Sequence, residues 1–257
     1  IPHHMIGVAD PAESWSVSRF TEAADRCVQD ILSRGKLPVL VGGTGLYLDA
    51  LVRGNTFAAG QQGGAIRQEL QERLAREGAA ALLAELAAVD PEAAARLHLR
   101  DEKRILRALE VYRETGETIS EHDRKSRETP DRYDALYIGL SFRDRQDLRD
   151  RIDRRVDAMV AQGLLDEVRR LLDSGLPRDA TALQAIGFKQ FLAVPDGTAT
   201  EAEAVEEVKL RSRQYAKRQL TWLRRNPDIH WILWEKEPDF PWALQNATDF
   251  LTAAGVC

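Results

Sequence analysis

Leu37-Pro38-Val39-Leu40-Val41-Gly42-Gly43-Thr44-Gly45-Leu46-Tyr47-Leu48 is the stretch whose reading decides the fold. Val39, Leu40 and Val41 form a short apolar run after Gly35 and Pro38, the pattern of a buried strand. Gly42 and Gly43 let the backbone turn sharply and come close to another group. Thr44 stands where a helix begins, with a hydroxyl suited to capping free N–H groups. Leu46, Tyr47, Leu48 and Leu51 carry the helix on, and Gly54 ends it. A strand, a glycine pair, a hydroxyl and a helix N-terminus together make an anion site at the carboxyl edge of an α/β sheet. The same pattern also serves as an ordinary tight strand-to-helix turn.

Upstream, residues 1–10 read as a loop or strand end, and residues 18–34 as an amphipathic helix closed by Gly35. His3 and His4 are adjacent and have no other ligand-type residue at metal spacing, so a structural or surface role is expected. Downstream, residues 56–64 are polar and glycine-rich, a hinge-like linker. Helices then follow almost without interruption. Ile66, Leu70 and Leu74 have helical spacing, residues 79–89 form an Ala/Leu helix, Asp90-Pro91 starts a third, and Asp101 starts a fourth that runs to Gly116. Strand character returns at residues 135–140. A long helix from Asp144 is broken at Gly163 and resumes over 164–172, Gly175 and Pro177 stop it, another helix spans 200–225, and a last strand covers 230–234.

The 257 residues carry a net charge of −5 and are 44% hydrophobic and 30% charged, the composition of a globular protein. That balance excludes a generally basic nucleic-acid binder, so any RNA contact must come from local patches. Cys27 lies on the apolar stripe of Phe20, Ala24 and Ile31, and Cys257 is terminal; a disulfide framework is not expected and a reducing cytoplasm fits. No apolar run approaches the roughly 18 residues of a membrane span.

Three patches have chemistry. Lys209, Arg211, Arg213, Lys217, Arg218, Arg224 and Arg225 fall in a run without an acid. At helical spacing Arg211, Tyr215, Arg218, Trp222 and Arg225 share one face, while Arg213, Lys217, Leu220 and Arg224 share roughly the opposite one. Arginine forks suit phosphate oxygens and aromatic rings stack on bases. Glu201, Glu203, Glu206 and Glu207 begin the same helix, so part of the pattern only complements the helix dipole; seven cations without an acid exceed that need. In the second patch Lys103 and Arg107 lie one turn apart, so like charges stack on one face, the pattern of a solvated face with Arg107 paired to Glu110. In the third, Arg151 and Arg155 stand at i, i+4, with Asp147, Asp150 and Asp153 as the expected ion-pair partners.

The opening stretch with Pro2-His3-His4 upstream, Lys103-Arg104-x-x-Arg107, Ala185-Ile186-Gly187-Phe188-Lys189, and the run Arg213-Gln214-Tyr215-Ala216-Lys217-Arg218-Gln219-Leu220-Thr221-Trp222-Leu223-Arg224 together resemble the tRNA dimethylallyltransferase family, whose members prenylate an adenosine beside the anticodon. Gly7, Lys103 and Phe188 stand where that family usually has Asp, Gln and Tyr. The resemblance implies an α/β fold, with a P-loop-NTPase-like parallel sheet core in residues 1–57 and 131–257. It implies a helical insertion in residues 58–130 that reaches over the anticodon stem-loop.

The resemblance also implies roles. Thr44 and Arg155 would be catalytic, with Gly42, Gly43 and Arg151 at the diphosphate. Arg67, Lys103, Arg104, Arg107, Ile186, Gly187, Lys189, Arg213, Lys217, Arg218, Gln219, Trp222 and Arg224 would contact tRNA. The donor would be dimethylallyl diphosphate, with Mg²⁺ as cofactor, in a cytoplasmic monomer that needs no membrane. Family members open with a glycine-rich phosphate loop and an Asp base. Ile1 aligns past both and no Gly-x-x-x-x-Gly-Lys-[Ser/Thr] occurs here, so the expectation is that these residues alone bind tRNA without modifying it, with the 39–41 strand left open-edged. The rivals are an enzyme that prenylates free adenine nucleotides, which needs no anticodon-clasping insertion, and a non-catalytic RNA-binding fragment, which needs no anion turn.

Overall fold

A computed structural model describes residues 1–55, 64–128 and 130–256. Cys257 and, Gly64 apart, the linker read over 56–64 lie outside the described residues. In chain order the elements are α1 (Val17–Ser33), α2 (Gly45–Arg53), α3 (Ala65–Val89), α4 (Pro91–Arg96), α5 (Glu102–Thr115), α6 (Ile119–Glu128), β1 (Tyr137–Phe142), α7 (Arg145–Ala161), α8 (Leu164–Asp173), a 3₁₀ turn (Thr181–Gln184), α9 (Phe188–Phe191), α10 (Glu201–Leu223), β2 (Ile229–Trp234) and α11 (Phe240–Ala253). The chain forms two compact units, one of Ile1–Leu48 with Asp134–Cys257 and the other of Asp49–Tyr133.

Local chemistry accounts for most of these limits. Ser16 accepts from the Arg19 N–H at 3.3 Å and starts α1. Asp90 Oδ1 accepts from the Ala93 N–H at 3.0 Å and, with Pro91 in the first turn, starts α4. Thr200 and Glu203 form a reciprocal capping box at the start of α10, with Glu203 N–H on the Thr200 hydroxyl at 3.2 Å and Thr200 N–H on the Glu203 carboxylate at 2.8 Å. Gly78 (φ 81°, ψ 165°) is non-helical, so α3 is two helices meeting at a kink there, as the sequence led one to expect. The charged stretch after Gly116 is itself helical, as α6.

The second unit is organised on Leu70, Leu82 and Leu86 of α3 against Ile105, Leu106, Ala108 and Leu109 of α5. In the first unit Val156 of α7, Leu165 and Val168 of α8, Phe191 of α9 and Ala204 and Val208 of α10 make one buried cluster. Beside it β1 and β2 pair in parallel, Tyr137 opposite Ile229 through Phe142 opposite Trp234. Parallel strands need a crossover, supplied here by the helices α7 to α10. The first strand lies two residues later than its apolar pattern suggests. Its partner cannot extend below Ile229, because the Asn226 side chain accepts the Asp228 N–H at 2.9 Å and turns the chain there. The arrangement is α/β with a small parallel sheet, and β1 and β2 are the only strands among the described residues.

One expected strand is therefore corrected. Residues 39–41 pair with no strand among the described residues, and Val39 and Val41 are 75% and 93% exposed. An apolar β-branched run favours extended backbone, but only a ladder partner makes it a strand.

Candidate functional site

Gly42 and Gly43 were expected to allow a turn and a close approach. The close approach is real, but it falls at Gly43 and Gly45, and it is to a helix. A Cβ on Gly43 would lie 2.2 Å from Gln219 Nε2, and one on Gly45 2.0 Å from Trp222 Cδ1. Around Gly42 a Cβ would meet nothing within 4 Å. Between the two contacts, Thr44 Oγ1 lies 3.1 Å from the Tyr215 hydroxyl. Tyr215, Gln219 and Trp222 sit at spacings of four and three on α10, one ridge of the helix surface, and the turn is laid along it. Thr44 does occupy the helix start, since its carbonyl accepts the Tyr47 and Leu48 N–H groups at 2.9 and 3.2 Å. Its hydroxyl faces Tyr215 and does not cap α2. Tyr47 stacks on Phe20 with ring centroids 4.7 Å apart, and burial, followed by Tyr215, pushes its phenol above the ordinary tyrosine range.

The cations of α10 divide into two halves. Lys209 bonds Asp157 at 2.7 Å and Glu206 at 3.1 Å, Arg211 bonds Glu207 at 2.6 Å, and Arg213 reaches both oxygens of Asp153 at 2.6 Å. The bonds to Asp153 and Asp157 join α10 to α7, and together with those to Glu206 and Glu207 they neutralise the first half of the run. Lys217, Arg218, Arg224 and Arg225 have no acid partner among the described residues. Arg218 lies 5.6 Å from the Tyr215 ring centroid and Arg225 5.3 Å from that of Trp222. The free positive charge thus sits at the end of the helix that carries the turn.

On α7, Asp153 and Asp157 face α10, so Arg151 and Arg155, each two residues earlier, lie roughly 160° around the helix from them. Both arginines are exposed and neither has an acid partner among the described residues. The expected ion pairs do not form, because Asp153 is engaged by Arg213 and Asp150 accepts from Gln146 at 2.7 Å. Arg151 and Arg155 are also not the buried pair that an inward-facing diphosphate clamp would need. Gly187 takes φ 105° and is buried, with Ile186 and Lys189 exposed on either side of it. Phe188, where a Tyr was expected, packs its ring against the first unit's core.

In the second unit Arg107 bonds Glu110 at 2.9 Å and Arg67 reaches the same carboxylate oxygen at 3.7 Å. Glu110 is 2% exposed, so two of the expected RNA contacts converge on one buried carboxylate. Lys103 and Arg104 are exposed on α5, Arg104 within 3.7 Å of Asp101.

The IPP transferase family model matches residues 1–226. The chain belongs to that family. All of the candidate residues lie inside the matched segment, whereas β2 and α11 follow it. Among IPP transferase relatives, the tRNA dimethylallyltransferase of Bacillus subtilis is 43% identical over 90% of this chain and 73% of its own length. The crystal structure of the full-length tRNA isopentenylpyrophosphate transferase from Bacillus halodurans superposes with a TM-score of 0.69 at 38% identity, covering 98% of this chain and 78% of that one. A eukaryotic dimethylallyltransferase acting on tRNA superposes with a TM-score of 0.76 at 29% identity, over 98% of this chain and 66% of that one.

For this IPP transferase the sequence placed Tyr215 and Trp222 on one face but not against the turn. Their spacing with Gln219 was the visible signal; the partner, some 170 residues away in sequence, was not.

Proposed function

We propose that the protein transfers a dimethylallyl group from dimethylallyl diphosphate to the exocyclic amine of the adenosine 3′-adjacent to the anticodon in tRNA. The observation that carries this reading is the Gly43-Thr44-Gly45 turn seated on the acid-free half of α10, which puts a hydroxyl and a helix N-terminus beside cations without acid partners. The relatives named above act on tRNA or bear the name of that activity.

In the reaction the bond from the prenyl C1 to the diphosphate oxygen breaks, a bond to the adenine nitrogen forms, and the amine loses a proton. The leaving diphosphate gains negative charge, which donors fixed in advance stabilise best. Thr44 donates to it from the turn, with the Gly42 and Gly43 backbone; Arg151 and Arg155, on the face of α7 turned away from α10, are not assigned to that anion. Lys217, Arg218, Arg224 and Gln219 hold tRNA phosphates, Trp222 offers a stacking face, and Arg213 supports α10 through Asp153. Lys103 and Arg104 meet the stem-loop from residues 58–130, Arg67 and Arg107 steady that segment through Glu110, and Ile186, Gly187 and Lys189 flank the flipped base. No residue of this chain is assigned as the base.

No group of three or more His, Cys, Asp or Glu able to hold a metal ion exists among the described residues. Mg²⁺, when bound with the diphosphate, would supply Lewis-acid neutralisation of the leaving group. The core is read as part of a P-loop-type sheet. No helix among the described residues is long and apolar enough to cross a membrane, and a tRNA substrate suits a cytoplasmic monomer.

Incubating the full-length protein with labelled dimethylallyl diphosphate and an anticodon stem-loop should place label on the adenosine beside the anticodon. Label on free adenosine monophosphate alone supports the free-nucleotide enzyme. Retention of RNA with no label on either supports a binding module.

A further inference from the structure

The Thr44–Tyr215 contact, at 3.1 Å, joins two hydroxyls from distant parts of the chain, and each could donate to the other. Phenols are far stronger acids than aliphatic alcohols, so the tyrosine proton is the one shared. Thr44 Oγ1 then accepts, and its own proton remains for a third group. That group is not the helix, since no N–H of α2 bonds Oγ1. Thr44 is exposed, so its proton points to whatever docks on the turn. The Tyr215 ring is held independently of this bond. It is half-buried, and the Arg218 guanidinium lies over it. Gln219 and Trp222, next on the ridge, fill the space above Gly43 and Gly45, which fixes the height of the turn over α10.

We propose that Tyr215 is a positioning residue for Thr44: its phenol donates to Thr44 Oγ1, selects one rotamer of that side chain and leaves the threonine proton for a phosphate oxygen of the prenyl donor. This rests on the reading of Thr44 given above. The phenol's contribution grows with the charge on the receiving oxygen, because chained hydrogen bonds strengthen one another. It is therefore larger for the departing diphosphate than for the intact donor, and appears in kcat more than in KM. A serine at position 44 lacks the β-methyl that restricts χ1, so it would depend on the phenol more than threonine does.

The test uses the full-length protein and the variants Tyr215→Phe, Thr44→Val, Thr44→Ser and the two double variants with Tyr215→Phe. Tyr215→Phe keeps the ring and its contact with Arg218. It should lower kcat roughly ten-fold, the loss of the hydrogen bond that orients and strengthens the donor to the anion, with the KM for the stem-loop and the thermal midpoint unchanged. On Thr44→Val it should add no further loss, and on Thr44→Ser it should cost more than on threonine. Binding of inorganic diphosphate, followed by calorimetry, reads the same coupling without turnover: Tyr215→Phe should weaken it by no more than Thr44→Val does, and the double variant by no more than Thr44→Val alone. Equal losses from Tyr215→Phe with and without the Thr44 hydroxyl, in turnover or in diphosphate binding, would overturn the inference, as would no loss at all. If the unaltered protein binds diphosphate with this coupling but labels no RNA, the functional reading fails and the positioning role stands.

Discussion

Among single residues, charge alone does not predict importance; what each charge already faces does. Arg211 and Arg218 share a face of α10, yet Arg211 is engaged by Glu207 and Arg218 by no acid among the described residues. Arg218→Gln should lower the slope of log affinity against log salt for an anticodon stem-loop by about one unit, and Arg211→Gln should leave it nearly unchanged. Filter retention across a salt series checks this, and equal effects would mean the ion pair opens on binding. The two tight glycines should also differ. A methyl at Gly43 meets the end of the flexible Gln219 side chain, which can swing aside, whereas one at Gly45 meets the Trp222 ring. Gly45→Ala should therefore destabilise by about 1–3 kcal/mol, the usual range for overpacking, and Gly43→Ala by less, as read by chemical denaturation. A smaller ring-free side chain at position 222 should restore the Gly45→Ala variant.

Within the elements, the caps carry more stability than the surface ion pairs. Asp90 is buried and accepts from the Ala93 N–H of α4 and, at 3.1 Å, from the Ser120 N–H of α6. Asp90→Ala leaves both donors unsatisfied and should cost about 2 kcal/mol. Asp153→Asn, at a partly exposed pair, should cost less than about 1 kcal/mol because solvent screens it. The same contrast explains what the sequence made legible. Asp90-Pro91, Asp144 and the Thr200–Glu203 box are local signals, and each marks a helix start within a residue or two. Helix α11 carried the same kind of signal, Asp239 capping the Trp242 N–H with Pro241 in the first turn, and went unread. What was illegible is pairing between distant residues: Asp153 with Arg213, Thr44 with Tyr215, and the absence of any ladder partner for residues 39–41 among the described residues.

For the molecule as a whole, the two units should respond differently to acid. Burial pushes the Asp90 carboxyl up, but the Ala93 N–H and Ser120 outweigh it and hold it below the ordinary range; burial likewise opposes Arg113 and Arg73 at Glu85, and the arginines win. A carboxyl lowered on folding contributes stability above its unfolded pKa, about 4, and loses it as the pH falls through the folded value. Both groups belong to the second unit, while the lowered carboxyls of the first, Glu13 and Glu203, are exposed. All five tryptophans, at 15, 222, 231, 234 and 242, lie in the first unit. Below pH 4, far-ultraviolet circular dichroism should therefore decline before tryptophan fluorescence changes, and coincident transitions would refute it. The way the units divide the chain also has a consequence for how the protein is made. Residues 49–133 are contiguous, and their core is complete once α5 has emerged from the ribosome. The other unit is split around them, and β1 must wait for a partner some 90 residues further on. Domains fold as units during synthesis, and distant pairing is slow. In pulse-labelled hydrogen exchange the amides of α3 and α5 should gain protection first. The amides linking β1 to β2 should follow only after β2 has been synthesised, so the nascent chain carries an unclosed half-unit from the emergence of β1 until then.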